Sequence, residues 1–352
     1  MRPITLACCL LFFTTAAAIA QTESAQSPPS QNPATAETPD SSSKEAASLE
    51  GGPAIEEVIV SGEQPGPGLW KVSKGDHVLW ILGALQPLPQ RMTWRSRSVE
   101  SVIAESQEVL ANTSVDADIG FFKGMMLAPS LIGIKKNPDG ATLEEILPAD
   151  LYARWLVLKA RYIGRDSGIE KWRPIFAAQA LYSKAIEKSG LTYSNLVWPV
   201  VTRIAKKHDI RITTPQITVA IEKPRAVIKE FKKLSLDDIE CFAKTLERLE
   251  TDLDAMRARA NAWAVGDVEA LGRLPYPDQN AACRSSIMNS QLVQERGFQD
   301  VPERMITAWV DAAEASLANN KTTFAVLSIV LMLKPDGYLA KLRDRGYVVE
   351  AP

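Results

Sequence analysis

Histidine is scarce in this chain: two residues, His77 and His208, among 352. Neither stands in a metal-ligand spacing. There is no HExxH, no paired CxxC, no GxSxG, no glycine-rich phosphate loop and no GxGxxG. These absences exclude the common metalloprotease, α/β-hydrolase and nucleotide-binding signatures. They leave no catalytic constellation readable from the residues alone. A three-ligand zinc site would need a cysteine or carboxylate brought in from afar. His77 adjoins a turn, and His208 follows Lys206 and Lys207 at a helix end, where a cation complements the dipole. Both read as solvated structural residues, and no cofactor or metal is expected. Long apolar runs are also lacking. Beyond the first residues no stretch reaches the roughly 18 apolar positions of a membrane span, so no transmembrane segment is expected in the mature chain. The net charge is only −2, with no basic stripe interleaved with aromatics, which argues against a nucleic-acid partner.

What is present begins with an export signal. Arg2 supplies a short positive region, Ile4 to Phe13 is nearly all apolar, and Ala18-Ile19-Ala20 is an A-x-A cleavage site. Cleavage is expected between Ala20 and Gln21, leaving a periplasmic or secreted protein. Cys8 and Cys9 raise the alternative of a lipoprotein, but they lie too early, and Thr5-Leu6-Ala7-Cys8 is a poor lipobox. Residues Thr22 to about Glu50 hold one leucine and no aromatic residue. Such a segment cannot bury enough apolar surface to offset its ordering entropy. The expected organisation is a signal peptide at 1–20, a disordered Ser/Pro/Gln/Ala-rich linker at 21–65 and one folded domain at 66–352. Apolar and charged fractions of 46% and 23% are those of an ordinary globular protein, and the folded part is long enough for one well-buried core.

Within the domain, Gly68 to Val72 and His77 to Gly83 flank a Gly/Asp turn and predict a hairpin. The second run is apolar on both faces, as in a central strand. Glu100 to Leu110 reads as a helix running into a strand. Helices are expected over Leu143 to Tyr162, with Pro148 at N1 of its second part, and over Trp172 to Lys188 and Leu196 to Lys207. Ile210 to Val219 reads as a strand bent at Pro215. Ile239, Phe242, Leu246, Leu249, Leu253, Met256 and Ala260 fall on one face of a long helix capped by Ser235. Gly266 breaks it and Asp267 caps a short successor ending near Leu274. Val301 to Ala318 predicts a helix, Thr322 to Leu333 a buried strand, Tyr338 to Arg345 a helix and Tyr347 to Val349 a last strand. The class is α/β: a mixed sheet built from N- and C-terminal segments, with a large helical insertion in the middle. Cys241 and Cys283 are the cysteines left after processing. In an exported protein such a pair is expected to form a disulfide, two free buried thiols being the alternative.

The runs Leu69-Trp70-Lys71-Val72, His77 to Gly83, Phe324 to Leu333, Pro335-Asp336-Gly337 and Gly346-Tyr347-Val348-Val349 come in an order that resembles the TraB/GumN family, which includes the Tiki metalloproteases. Glu303-Arg304 with Trp309 looks like the family's "ER" helix, and Trp263 to Asp267 looks like its GumN-type branch. The resemblance implies a shared fold and a metal site held by histidines in two GxxH motifs. Here Gly83-Ala84-Leu85-Gln86 puts Gln86 where the first histidine belongs. Ser328-Ile329-Val330-Leu331 puts Leu331 at the second. The family's acidic position falls on Asn112. Glutamine is a weak neutral ligand and leucine is none. The resemblance with these departures implies a non-catalytic relative, with Gln86, Glu303 and Arg304 as possible binding residues. The alternatives are a metal-dependent, peptidase-like hydrolase with unrecognised ligands and a purely structural envelope protein. GumN-type proteins are associated with exopolysaccharide gene clusters, so an unidentified envelope ligand or protein is the expected partner.

Overall fold

A computed structural model describes residues 66–117, 126–274 and 279–352. The expected leader, the Ala20–Gln21 cleavage point and the linker at 21–65 lie outside the described residues. The hairpin is β1 (Leu69–Lys74) and β2 (His77–Ala84), closed by Gly75 and Asp76. Gly75 has φ 64°, the left-handed conformation that a two-residue hairpin loop demands. Next come β3 (Leu88–Pro89), α1 (Arg97–Glu105), β4 (Glu108–Leu110) and β5 (Ser114–Ala117). The middle supplies α2 (Leu143–Ile146), α3 (Ala149–Tyr162), α4 (Pro174–Lys188), β6 (Leu191–Thr192), α5 (Trp198–Lys207), β7 (Arg211–Thr213), β8 (Gln216–Val219) and α6 (Pro224–Lys233). Five helices follow: α7 (Ile239–Thr251), α8 (Leu253–Ala264), α9 (Val268–Arg273), α10 (Gln279–Met288) and α11 (Gln291–Glu295). The chain closes with α12 (Val301–Asn319), β9 (Thr322–Ser328), α13 (Ile329–Met332), α14 (Tyr338–Asp344) and β10 (Val348–Glu350).

The main sheet has six strands in the order β10-β1-β2-β9-β4-β7. β2, β9, β4 and β7 run parallel, while β1 is antiparallel to β2 and to β10. This is the expected mixed α/β architecture, with β7 added from the middle of the chain. β9 buries five residues in succession, Thr323 to Leu327, as a parallel strand covered on both faces must. Trp309, Val310, Ala313 and Leu317 of α12 pack into that core. A second cluster joins α3, α4 and α7 around Trp155, Leu181, Phe242 and Leu246. Beside it the disulfide Cys241–Cys283 ties α7 to α10.

Four expectations are corrected. The helix expected to start at Ser235 starts at Ile239, with Asp238 at its N-cap, and it bends at Asp252. Buried Asp252 accepts Arg248 at 3.3 Å and Arg259 at 2.5 Å, drawing both guanidinium groups to the bend. The apolar spacing runs through because Met256 still donates its backbone N–H to the Asp252 carbonyl at 2.8 Å. Pro148 occupies the N-cap of α3 rather than N1. The bend at Pro215 separates two strands in different sheets: β7 pairs with β4, and β8 with β5. The Thr322 to Leu333 run is strand only to Ser328, then turns into α13.

Candidate functional site

The parallel strands β2, β9, β4 and β7 all end at one edge of the sheet. In open α/β sheets the crevice outside this carboxyl edge is where ligands bind. Gln86 follows β2 by two residues, Asn112 follows β4 by two, and Leu331 lies in α13, directly after β9. Ala84 stands beside Ser328, and Leu110 beside Ala325. The three positions therefore leave neighbouring strands at the same edge.

Two of the three are engaged by the chain itself. The half-buried Gln86 amide donates to the Tyr193 carbonyl at 3.3 Å. The Tyr193 hydroxyl donates to that of Tyr182 at 2.6 Å, and burial pushes both phenols up. Leu331 packs against the main core with Val330. Its carbonyl is approached so closely by Gly337 that a Cβ there would overlap the oxygen, which explains the glycine after Pro335-Asp336. Gly83 is also crowded, though less severely and by side chains. A Cβ would lie 3.0 Å from Trp70 and 3.1 Å from both Ile329 and Met332, and the Gly83 carbonyl accepts the Trp263 indole N–H at 2.6 Å. Asn112 is exposed.

The acid that β4 does carry, Glu108, sits at its other end. It is buried, accepts Ser316 at 2.9 Å and Asn320 at 2.8 Å, and lies 3.3 Å from Arg211. Burial alone would raise its carboxyl, but hydrogen bonds from Thr213, Ser316 and Asn320, with the Arg211 charge, outweigh it and hold it below the ordinary value. Glu108 thus ties β4 to the end of α12, far from the carboxyl edge. The histidines are not simply solvated either. His77 is half-buried with Nδ1 2.5 Å from the Leu317 carbonyl, and His208 lies 3.6 Å from Glu100.

Glu303 and Arg304 open α12. Thr113, next to Asn112, donates to the Met305 carbonyl at 2.8 Å and holds that helix start against the strand end. Arg304 donates to the Thr218 carbonyl on β8 at 2.8 Å, and Glu303 lies 3.8 Å from Lys341. Between α12 and β8 runs an open groove of about 480 Å³, floored by Ile217 and Ala308 and rimmed by Asp300, Glu303, Thr307 and Asp311. The sequence reading missed this groove, because no periodic signal places β8 against α12. Gln86 is not among the residues that line the groove beside Arg304. The two do not form one pocket.

A divalent ion fits this edge poorly. Its strand ends carry two amides and an aliphatic group, and one amide is already engaged. Among the described residues no three His, Cys, Asp or Glu side chains come together as a metal ligand set. A model of the TraB/PrgY/gumN family matches residues 68–351, and the chain belongs to that family. No curated protein and no solved structure matches it.

Proposed function

We propose that this member of the TraB/PrgY/gumN family is an exported, non-catalytic relative that serves as a binding scaffold in the periplasm or outside the cell, with an envelope ligand or protein as partner. One observation carries the reading: at the carboxyl edge, the positions that the resemblance assigns to the two motif histidines carry Gln86, hydrogen-bonded to Tyr193, and Leu331, partly buried against the core. Without ligands there is no means to hold a metal and lower the pKa of its water. The leader ending at Ala20 supports export, and the Cys241–Cys283 bridge suits an oxidising compartment. N-terminal sequencing of protein recovered from the envelope is expected to start at Gln21. Calorimetry with manganese, cobalt and zinc on protein lacking tag histidines is expected to show no stoichiometric binding. Binding tighter than about 10 μM, abolished by Glu303→Ala, would replace this reading with that of a metal-dependent hydrolase.

A further inference from the structure

Two large apolar side chains, Met126 and Ile132, stand 60% and 76% exposed on one loop after β5. Single exposed apolar residues need no explanation. These two are set among cations. Against the loop lies α6, which buries Val227, Ile228 and Phe231 and turns Arg225, Lys229 and Lys233 to solvent. The spacing of those three cations places them on one helix face, opposite the buried one. Arg225 donates to the Met126 carbonyl at 3.3 Å, and Lys232 to the Ile132 carbonyl at 2.6 Å. On the loop itself Lys135 and Lys136 are both exposed.

The platform is held from beneath. Arg173 is buried, and its guanidinium donates to the Lys136 carbonyl at 3.1 Å, to that of Phe231 at 2.7 Å and to that of Lys232 at 3.0 Å. One side chain thus locks loop and helix into a single surface. The acid on α6, Glu230, is engaged by Arg296 at 2.6 Å and does not neutralise the lysines. In a chain of net charge −2, positive charge is gathered here.

Exposed apolar tips beside long cationic side chains suit a membrane interface. The tips enter the boundary between headgroups and acyl chains, while the ammonium groups reach lipid phosphates on flexible stems. A single-stranded nucleic acid would need exposed aromatic faces for stacking. Among the described residues the aromatic ring beside this surface, Trp172, is covered by Lys135 at 4.7 Å. Among the described residues no helix is long and apolar enough to cross a membrane, so attachment here is peripheral.

We propose that the surface formed by the Met126–Lys136 loop and α6 docks this protein on an anionic phospholipid bilayer. The proposal does not depend on whether the carboxyl-edge site is catalytic. The test is co-sedimentation of the full chain with phosphatidylglycerol/phosphatidylethanolamine vesicles and with phosphatidylcholine vesicles. Variants share residues 1–65 with the parent, so any contribution from that segment cancels. Each Lys or Arg near an anionic surface strengthens partition about fivefold, so Lys229→Ala/Lys233→Ala is expected to weaken it roughly 25-fold. Ile132→Ser is expected to weaken it about tenfold. Both variants should keep the parent melting temperature, because the altered side chains are exposed. Equal binding to the two vesicle types, or no binding, would overturn the proposal. So would charge variants that lose binding while Ile132→Ser keeps it, since that marks a site for soluble polyanions such as heparin.

Discussion

Asp238 offers a pH test of the helical half of the fold. It is 3% exposed, stands at the N-cap of α7, and accepts the Ile175 backbone N–H at 2.9 Å. Burial pushes its carboxyl from 3.8 up to about 6, against the opposing pull of the Ile175 hydrogen bond and the Arg173 charge. Below the unfolded value both states are protonated and the group contributes nothing. Between 3.8 and 6 the unfolded chain has released its proton while the folded chain still holds it. Stability therefore falls as pH rises through this window, and above it the full penalty of a buried charge remains. A gap of roughly two units corresponds to about 3 kcal/mol. Other carboxylates, Glu108 among them, have the opposite slope, so the measurement is a difference. Urea melts of the parent and of Asp238→Asn are compared at intervals from about pH 4 to 7.5. The asparagine keeps an acceptor for Ile175, and the Arg173 attraction it forgoes when Asp238 ionises is already contained in the value of about 6. The stability of the variant relative to the parent is expected to rise by about 3 kcal/mol across the window and then level off. A flat difference curve, or one that falls, would refute the reasoning and show that Arg173 and the helix start hold Asp238 ionised.

Two further outcomes follow from packing and covalent structure. Cys241→Ser opens a bridge between residues separated by 42 positions. It is expected to cost about 4 kcal/mol in the chain-entropy model and roughly 10 °C in melting temperature; thiol labelling of Cys241 and Cys283 in denatured, unreduced protein would refute the bridge. Gly83→Ala places a methyl group 3.0 Å from the Trp70 ring and 3.1 Å from Ile329 and Met332. It is expected to destabilise by about 1–3 kcal/mol in a urea melt, and a neutral result would show that this junction has room.

Much of the sheet was legible because its strands carry their own signals. The hairpin is marked by Ser73-Lys74-Gly75-Asp76 between two β-rich runs, and β9 by consecutive apolar residues. The long helix was read correctly as a face and wrongly as a rod. Periodicity reports which side chains point inward, and a bend that preserves the Asp252–Met256 backbone bond leaves the period intact. What bends it is a buried carboxylate shared by two arginines seven or fewer residues away, and such a pair looks like any surface i, i+4 charge pattern in sequence. The cationic platform was illegible for a related reason. Its charges come from the 135–136 dipeptide and from α6, a helix not anticipated at all, and the contacts that bring the two segments together, from Arg173, Arg225 and Lys232, leave no pattern in sequence.

The carboxyl edge shows where pattern reading runs out. Gln86, Asn112 and Leu331 were identified as the residues at the strand ends, and the parallel register of β2, β9 and β4 sets their positions at one edge. What each side chain does there was hidden, because it depends on neighbours distant in sequence. Gln86 is engaged by Tyr193, 107 residues away. Leu331 was expected to extend a strand, yet β9 stops three residues earlier and the chain coils into α13. That turn buries Ile329 and Met332 against Gly83, and it brings the Leu331 carbonyl under Gly337. A histidine substituted at position 331 would therefore sit on a helical turn clamped by apolar packing on one side and a backbone contact on the other. With the Gln86 amide engaged by Tyr193 and a neutral amide at Asn112, Leu331→His alone would gain no imidazole or carboxylate partner from those two positions.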